Sequence, residues 1–582
     1  MSDHPTEQDT AAARGLFVSA LRSQLVGPVE GEHEVLSVPP DRRYLMGTLY
    51  PQEADLHSLL LSSGEENEGN GTESPTEENQ FAEDPTTDAN AWLPSSLGLS
   101  LFTDAPSLRI TCRGSRYMTT RQDGLRRWTR SPLPDTTIET TESADVPVLE
   151  NRALLRVRRR SYAGASLVTV ALVNAAVAAL SDGEGSARQK SVRTDWDRML
   201  FQVSFDVRPL QGTFLEYPDV LLTSRDPEEE ELRLQYRHVR TFSIGHGCAV
   251  REERAASTDD GPPDLVGTEV MPTEEVLRVR HSGPTDARAL RLSFLSDASL
   301  SSVERARELS TFVQGYRDWY DLRVEEAATR VPEWGREAAE RILERIRTAI
   351  ERMEEGARLV CADPVASAAF RIANQAMALQ MRHAAEDLAG TPRSRHDTLP
   401  QNTSVDDSYA WRPFQLGFFL LCVGGLIDPT RPDRESADVL WFPTGGGKTE
   451  AYLLLACFEM VLRRLRHGTA GGGTAVLSRY TLSLLTTQQF QRAGTTVCAL
   501  EHLRRRSLQE PSPDLDLGTE PFSLGLWVGE ATTPNTYDRA HELAERQREA
   551  ARPSDVFVLD RCPWCGTRIM PENKSSEPGD YG

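Results

Sequence analysis

The sequence lacks any long apolar run. A membrane-spanning helix needs roughly 18 or more consecutive apolar residues. The nearest approach, Ala165 to Leu180, is interrupted by Thr169 and Asn174. A secretory leader is missing too, since Met1-Ser2-Asp3-His4-Pro5 carries no cationic stretch ahead of an apolar core. Cysteine is scarce, with 8 in 582 residues. Six are scattered singly and the last two form a close pair, which excludes a disulfide scaffold and fits a reducing cytoplasm. Positive charge is in deficit: 65 Lys and Arg face 87 Asp and Glu, for a net charge of −22. The pI is near 5.1 and the mean hydropathy −0.45. That balance argues against coating nucleic acid by bulk charge but leaves room for a local basic channel. A soluble, cytoplasmic protein with no membrane contact is expected. At roughly 100–200 residues per domain, the length suggests about three to five domains.

What is present is unevenly distributed. Residues 1–61 read as an N-terminal helical segment, with a helical pattern from Leu16 to Leu25 ended by Gly27-Pro28. Residues 62–90 hold Glu65, Glu66, Glu68, Glu73, Glu77, Glu78, Glu83, Asp84 and Asp88 with almost no apolar residue besides Phe81. Such a tract cannot bury enough surface to offset its chain entropy, so a disordered acidic loop is predicted. It either solvates the chain or acts as an autoinhibitory or nucleic-acid-mimicking tract. Residues 91–295 carry short runs rich in β-branched residues, among them Leu108 to Cys112, Leu167 to Val173, Phe201 to Val207, His238 to Ile244 and Leu290 to Phe294. They predict a β-rich domain. Gly245-His246-Gly247 reads as a turn, and the acidic run Asp226 to Glu231 as a loop edge. Over 296–395 apolar residues such as Ile342, Ile346, Ile350 and Met353 recur at helical spacing, and Pro332 and Pro364 divide the stretch into about three helices. A linker, Gly390 to Asp407, leads to a last domain at 405–582.

That domain holds the strongest signal, Val439-Leu440-Trp441-Phe442-Pro443-Thr444-Gly445-Gly446-Gly447-Lys448-Thr449-Glu450. The pattern predicts an apolar strand, a glycine-rich loop and an amphipathic helix. Glycines let backbone N–H groups curl around phosphates, and the helix N-terminus adds positive potential. Pro443, Thr444, Gly445, Gly446, Gly447, Lys448 and Thr449 are therefore candidate ATP-binding residues. Lys448 is expected to reach the β- and γ-phosphates, and the Thr449 hydroxyl to ligate Mg²⁺. Phe442 stands where the strict pattern has glycine.

Flanking elements point towards a translocase. Upstream, Arg412-Pro413-Phe414-Gln415 is similar to the adenine-reading element of superfamily 2 helicases. Gln415 offers the donor and acceptor that the adenine edge requires. Downstream, Gly471-Gly472-Gly473 precedes a predicted strand, Thr474 to Arg479. The segment Tyr480 to Arg492 follows, similar to a helicase motif that holds nucleic-acid phosphates. Thr481, Thr487 and Arg492 are its candidate DNA contacts. Gly525-Leu526-Trp527-Val528-Gly529 reads as a further strand. Clusters at Arg463, Arg464, Arg466 and at Arg504, Arg505, Arg506 either stabilise helix C-termini or touch nucleic acid. Together, Phe442 to Tyr452, Arg479 to Leu482, Leu485 to Ala493, Gly525 to Gly529 and Cys562-Pro563-Trp564-Cys565-Gly566 resemble the helicases of the DISARM phage-defence system. Arg43 to Pro51 and Gly245 to Gly247 resemble that family more loosely. The resemblance implies an ATP-dependent superfamily 2 helicase or translocase acting on single-stranded or forked DNA with a defence-system partner subunit.

Cys562 and Cys565 form half of a zinc knuckle. Their spacing also occurs in redox pairs, without the surrounding pattern here. The resemblance implies that a second pair of ligands lies after Gly582. No apolar strand ending in Asp-Glu follows Lys448; Val556 to Asp560 has Arg561 in place of the glutamate. The catalytic acidic pair is thus unassigned, and no second motor lobe is read. The expected fold is α/β and α+β multidomain: β-rich and helical regions, then a RecA-like doubly wound P-loop lobe, incomplete at the C-terminus. The expected function is that of an ATP-dependent DNA helicase, present as an N-terminal portion that binds nucleotide without efficient turnover alone. The alternatives are a P-loop regulatory ATPase and a non-enzymatic interaction scaffold.

Overall fold

The computed structural model describes residues 7–52, 93–122, 124–177, 195–218, 226–254, 261–276, 287–388, 405, 407–441, 447–479, 483–510, 516–528, 533–553, 559, 561–567, 569–571 and 573–576. At 7–9, 122, 195, 386–388 and 483–487 it describes the backbone alone. The acidic tract at 62–90 and most of the predicted linker at 390–407 lie outside these residues. The chain divides into two compact units, Met1–Val276 and Leu277–Gly582.

The first unit opens with α1 (Glu7–Leu25), β1 (Val35–Leu36) and the single turn α2 (Pro40–Arg43). The strands β2 (Ser96–Thr103), β3 (Ser107–Gln122), β4 (Leu125–Pro132), β5 (Thr136–Thr140), β6 (Ala144–Val148), β7 (Ala153–Tyr162) and β8 (Ala165–Asn174) follow. After them come β9 (Phe201–Leu210), β10 (Phe214–Leu215), α3 (Pro227–Gln235), β11 (Ser243–His246), β12 (Ala249–Glu253) and β13 (Leu265–Glu269). One sheet runs β1-β4-β3-β9-β13-β12, with β5 also on β3; the other runs β10-β2-β8-β7-β6, with β11 also on β2. The pairings between strands are antiparallel. On β7, Ala153, Leu155 and Val157 are buried while Arg156 and Arg158 face out. This period of two gives each strand one apolar face. Leu99, Leu101, Leu155, Val168 and Val170 of one sheet share a core with Ile110, Phe205, Val207 and Val266 of the other, so the unit is a β-sandwich. Strand β3 serves two neighbours in turn, pairing with β5 over 108–112 and with β4 over 115–122. A register shift between Arg113 and Ser115 separates the two stretches.

The stretch read as β-rich carries strands β2 to β13, the last ending at Glu269, and two of its segments differ from the sequence reading. Asp226 to Glu231 is the start of α3 and not a loop edge. Asp226 accepts a hydrogen bond from Glu228 N at 2.9 Å, Pro227 opens the helix, and three glutamates occupy its first turn; all three features favour a helix N-terminus. Leu290 to Phe294 is not a strand either. Its alternation is broken by a 3₁₀ turn (Arg288–Leu290) and the short helix α4 (Leu292–Ser296), which bury Leu290, Leu292, Phe294 and Leu295. Five residues are too few for periodicity to separate the two states.

The second unit is helical among the described residues. It continues with α5 (Ser302–Arg330), α6 (Arg336–Ala362) and α7 (Pro364–Leu388), the three helices that Pro332 and Pro364 predict. After these come α8 (Pro413–Ile427), α9 (Lys448–His467), α10 (Ser483–Gln509) and α11 (Tyr537–Glu549). Ser301 and Glu304 cap α5 reciprocally. Phe370 of α7 stacks on Phe419 of α8 at 4.9 Å, and Phe419 meets Phe458 of α9 edge-on at 5.4 Å. These rings tie the helices around the phosphate-loop helix into one core.

The predicted doubly wound sheet is not formed among the described residues of this unit. Val439–Trp441, Thr474–Arg479 and Gly525–Val528 are irregular and pair with no strand. Val439 is 85%, Trp441 87% and Trp527 100% exposed. A parallel strand is buried by neighbours on both faces, and these segments have none. The helices of the expected strand–helix alternation are in place; its strands are not.

Candidate functional site

Helix α9 begins where the glycine-rich loop ends. Gly447 has φ +83°, and a Cβ there would stand 2.8 Å from Gln415 Nε2 and 3.4 Å from Glu450 Oε2. Only a glycine fits this left-handed position without strain. Gln415 lies in the first turn of α8 and is 4% exposed. Its Nε2 donates to Gly447 O at 2.7 Å, and its Oε1 accepts from Arg412 N at 2.8 Å. The residue expected to read adenine is therefore seated against the loop backbone. Each of its polar atoms retains one further hydrogen-bonding position.

Lys448 is the first residue of α9, and Thr449 follows it, buried. The Thr449 hydroxyl donates to Gln489 Oε1 at 3.2 Å and accepts from the Tyr452 hydroxyl at 3.1 Å. One residue on, Glu450 Oε1 pairs with Arg492 Nη2 at 3.3 Å. Gln489 and Arg492 stand three apart on one face of α10. The structure thus brings Gln415, Gly447, Thr449 and Arg492 together at one end of α9. The parts played by Gln489, Tyr452 and Glu450 are not assigned by the sequence, although all three stand inside the motifs it singles out. Pro443, Thr444, Gly445, Gly446 and Thr481 lie outside the described residues. Thr487 lies within α10, where only its backbone is described. Of Val556 to Asp560, only Leu559 is described.

The arginine clusters are bound within the protein. Arg463 donates to Gly472 O and Thr474 O. Arg464 donates to Pro521 O at 3.2 Å and lies over the Phe522 ring. Arg466 reaches Ile427 O and Asp363. Arg504 binds Glu501, Gly518 O and Thr519 O. The Arg504 guanidinium, helped by Arg505 and Phe522 N–H, holds the Glu501 carboxyl down at about 2 against the opposing effect of burial. Of the two readings, anchoring of the helix C-terminal ends is the one these contacts support.

Cys562 and Cys565 sit in a tight turn in which Gly566 N donates to Cys562 O at 2.9 Å. Thr495 of α10 donates to Pro563 O at 2.8 Å, which holds the turn against that helix. Among the described residues no three His, Cys, Asp or Glu side chains stand at metal-ligating separation. In the first unit His246 ends β11 and is not a free turn residue; its Nε2 meets Ser100 Oγ at 2.7 Å. No helix among the described residues is long and apolar enough to cross a membrane.

No family model matches the chain. A curated relative does. The chain is similar to a DISARM protein. That relative is described as DISARM protein DrmA, from Bacillus paralicheniformis (strain ATCC 9945a / NCIMB 11709 / CD-2), and is 27% identical over 610 aligned residues. The match covers 95% of this chain and 50% of DrmA. The chain thus spans about half the length of the curated relative it matches.

Proposed function

We propose that the second unit captures a magnesium-bound nucleoside triphosphate at the start of α9 and relays its presence to α10, as part of an ATP-dependent DNA motor working in phage defence. The observation that carries this reading is the paired link from the loop helix to α10, Thr449 to Gln489 and Glu450 to Arg492. A plain glycine turn has no need of either link. The similarity to DrmA supports the defence setting.

The residues fit the ligand. Gly447 keeps the loop backbone close against Gln415, where a side chain would collide. Lys448 would meet the phosphate charge, and Thr449 would offer its oxygen to Mg²⁺. Bound Mg²⁺ would neutralise phosphate charge. Thr449, bonded to Gln489 and Tyr452, would connect that site to α10. Glu450 holds Arg492 beside the loop, and release of that arginine would supply a cation for a DNA phosphate.

The test is equilibrium binding of a fluorescent ATP analogue with Mg²⁺ to the 582-residue chain. Lys448→Ala should weaken binding tenfold or more while the melting temperature stays put. Equal binding by parent and variant, or no binding by a folded parent, overturns the proposal.

A further inference from the structure

The first unit carries a concentration of positive charge that none of the motifs accounts for. From Ser107 to Pro132, the β3–β4 hairpin, the sequence has seven arginines and one acid, Asp123, which lies outside the described residues. Past Ser115, β3 leaves β9 and pairs with β4. In its turn β4 meets β1 at Trp128 and Thr129. Among the described residues, the end of the hairpin is thus a two-stranded ribbon that no further strand joins.

The arginines of the hairpin divide by partner. Arg109 is held by Glu139, and Arg113 by Asp135 and Asp206. Arg130 donates to Gln202 Oε1 and Glu32 O. At the ribbon's end, no hydrogen bond or ion pair among the described residues engages the guanidinium groups of Arg121, Arg126 and Arg127. Arg121 and Arg126 are exposed and stand directly opposite each other; Arg127 is half-buried, opposite Thr120. Like charges directly across a ladder repel, so folding gains nothing from this pair. Successive side chains alternate in face, so Arg127 takes the side opposite to Arg126. The tip therefore presents unpaired cations on both faces.

We infer that the β3–β4 ribbon binds the phosphate backbone of duplex nucleic acid through Arg121, Arg126 and Arg127. A major groove, about 12 Å wide, admits a two-stranded ribbon, and its walls put phosphates on both sides. The planar fork of arginine matches phosphate oxygens. Thr119, exposed beside the arginines, adds a hydroxyl that can donate to the same oxygens. The aromatic rings of the ribbon favour a duplex over a single strand. Tyr117 and Trp128 are buried, Trp128 edge-on to Trp196 at 5.4 Å, so neither offers the open face on which an unpaired base stacks. In a chain of net charge −22 the bulk field repels a polyanion, so its attraction has to be local. The inference rests on the first unit alone and is independent of the nucleotide reading.

The experiment titrates the 582-residue chain, without nucleotide, into a fluorescent blunt DNA duplex and into a single strand of equal length over a range of salt. Arg121→Gln, Arg126→Gln and Arg127→Gln combined should lower duplex affinity at least tenfold at low salt and reduce the slope of log affinity against log salt by about 3. The control Arg158→Gln takes an arginine from its pair with Asp145 on the other sheet and should change neither. Because Arg121 repels Arg126, the triple variant should melt no lower than the parent, which separates lost binding from misfolding. A second measurement needs no variant. Duplex should protect Arg121, Arg126 and Arg127 of the parent from phenylglyoxal and leave the reaction of Arg158 unchanged. A parent that does not bind duplex, an unchanged slope in the triple variant, a single strand bound as tightly as the duplex, or polyglutamate that displaces the duplex as well as unlabelled duplex does overturns the assignment.

Discussion

Alanine at Gly447 separates two physical effects that meet in the phosphate loop. At φ +83° an L residue costs about 1 kcal/mol in backbone strain. The new methyl would also stand 2.8 Å from Gln415 Nε2, so the amide must move and weaken its 2.7 Å bond to Gly447 O. That adds about 1 kcal/mol. Both penalties weigh on the folded loop, so the unfolding free energy should drop by about 2 kcal/mol. Gly473 is the control. It has φ +87°, and no heavy atom lies within 4 Å of the place a methyl would occupy, so alanine there should cost about 1 kcal/mol of stability and leave affinity unchanged. A double-mutant cycle decides the matter. In a Gln415→Ala background the methyl has nothing to displace, so Gly447→Ala should incur only the strain. The predicted coupling is about 1 kcal/mol. The assay is titration with the fluorescent ATP analogue, alongside urea unfolding of all four proteins. Additivity within about 0.3 kcal/mol would refute the claim that Gln415 clamps the loop.

Acid stability should depend on Glu501. Its folded value of about 2 lies below the ordinary 4.5, so its contribution is present above pH 4.5 and fades as pH falls towards 2. Glu501→Gln should remove roughly 2 kcal/mol at neutral pH, after allowance for the solvent around Arg505; a difference that persisted below pH 2 would contradict the assignment. Arg464 is 7% exposed and bound to Pro521 O and Phe522. Arg464→Ala should cost about 3 kcal/mol in unfolding free energy with no change in the salt dependence of single-stranded DNA binding. Arg492→Ala should instead lower the slope of log affinity against log salt by about 1, and an unaltered slope would remove Arg492 from the DNA-contact set.

The sequence is legible where a pattern is long or chemically specific. The helices over 302–388 follow from their apolar spacing and two prolines, and the sandwich strands from their alternation. The loop-helix start at Lys448 follows from glycines that only a special backbone needs. Legibility fails where a short pattern has two outcomes. Leu290 to Phe294 alternates like a strand, yet the core takes its leucines from a helix. Asp226 to Glu231 looks like a solvated run, but an acidic run behind a capping aspartate and a proline is also how a helix begins. The 562–567 turn illustrates a different limit: its seating against α10, through Thr495 and Pro563 O, cannot be read from the spacing of its cysteines.

The arginine clusters change how the chain's charge should be weighed. A net charge of −22 speaks against nucleic acid, and local arginines at first speak for it. Arg463, Arg464, Arg466 and Arg504 bind carbonyls and carboxylates within the protein near the C-terminal ends of α9 and α10. They hold those ends in place. The opposite ends carry the motif residues: Lys448 and Thr449 at the start of α9, Gln489 and Arg492 in the N-terminal half of α10. Helix N-termini favour anions by their unsatisfied N–H groups and their dipole. The cross-links Thr449–Gln489 and Glu450–Arg492 hold the start of α9 against the N-terminal half of α10. Under the proposed function a nucleotide would use the start of α9, and a DNA phosphate the Arg492 held beside it. On this reasoning the second unit's affinity for DNA rests on few charges, placed beside the nucleotide, and it should respond to nucleotide far more than to the overall charge of the chain.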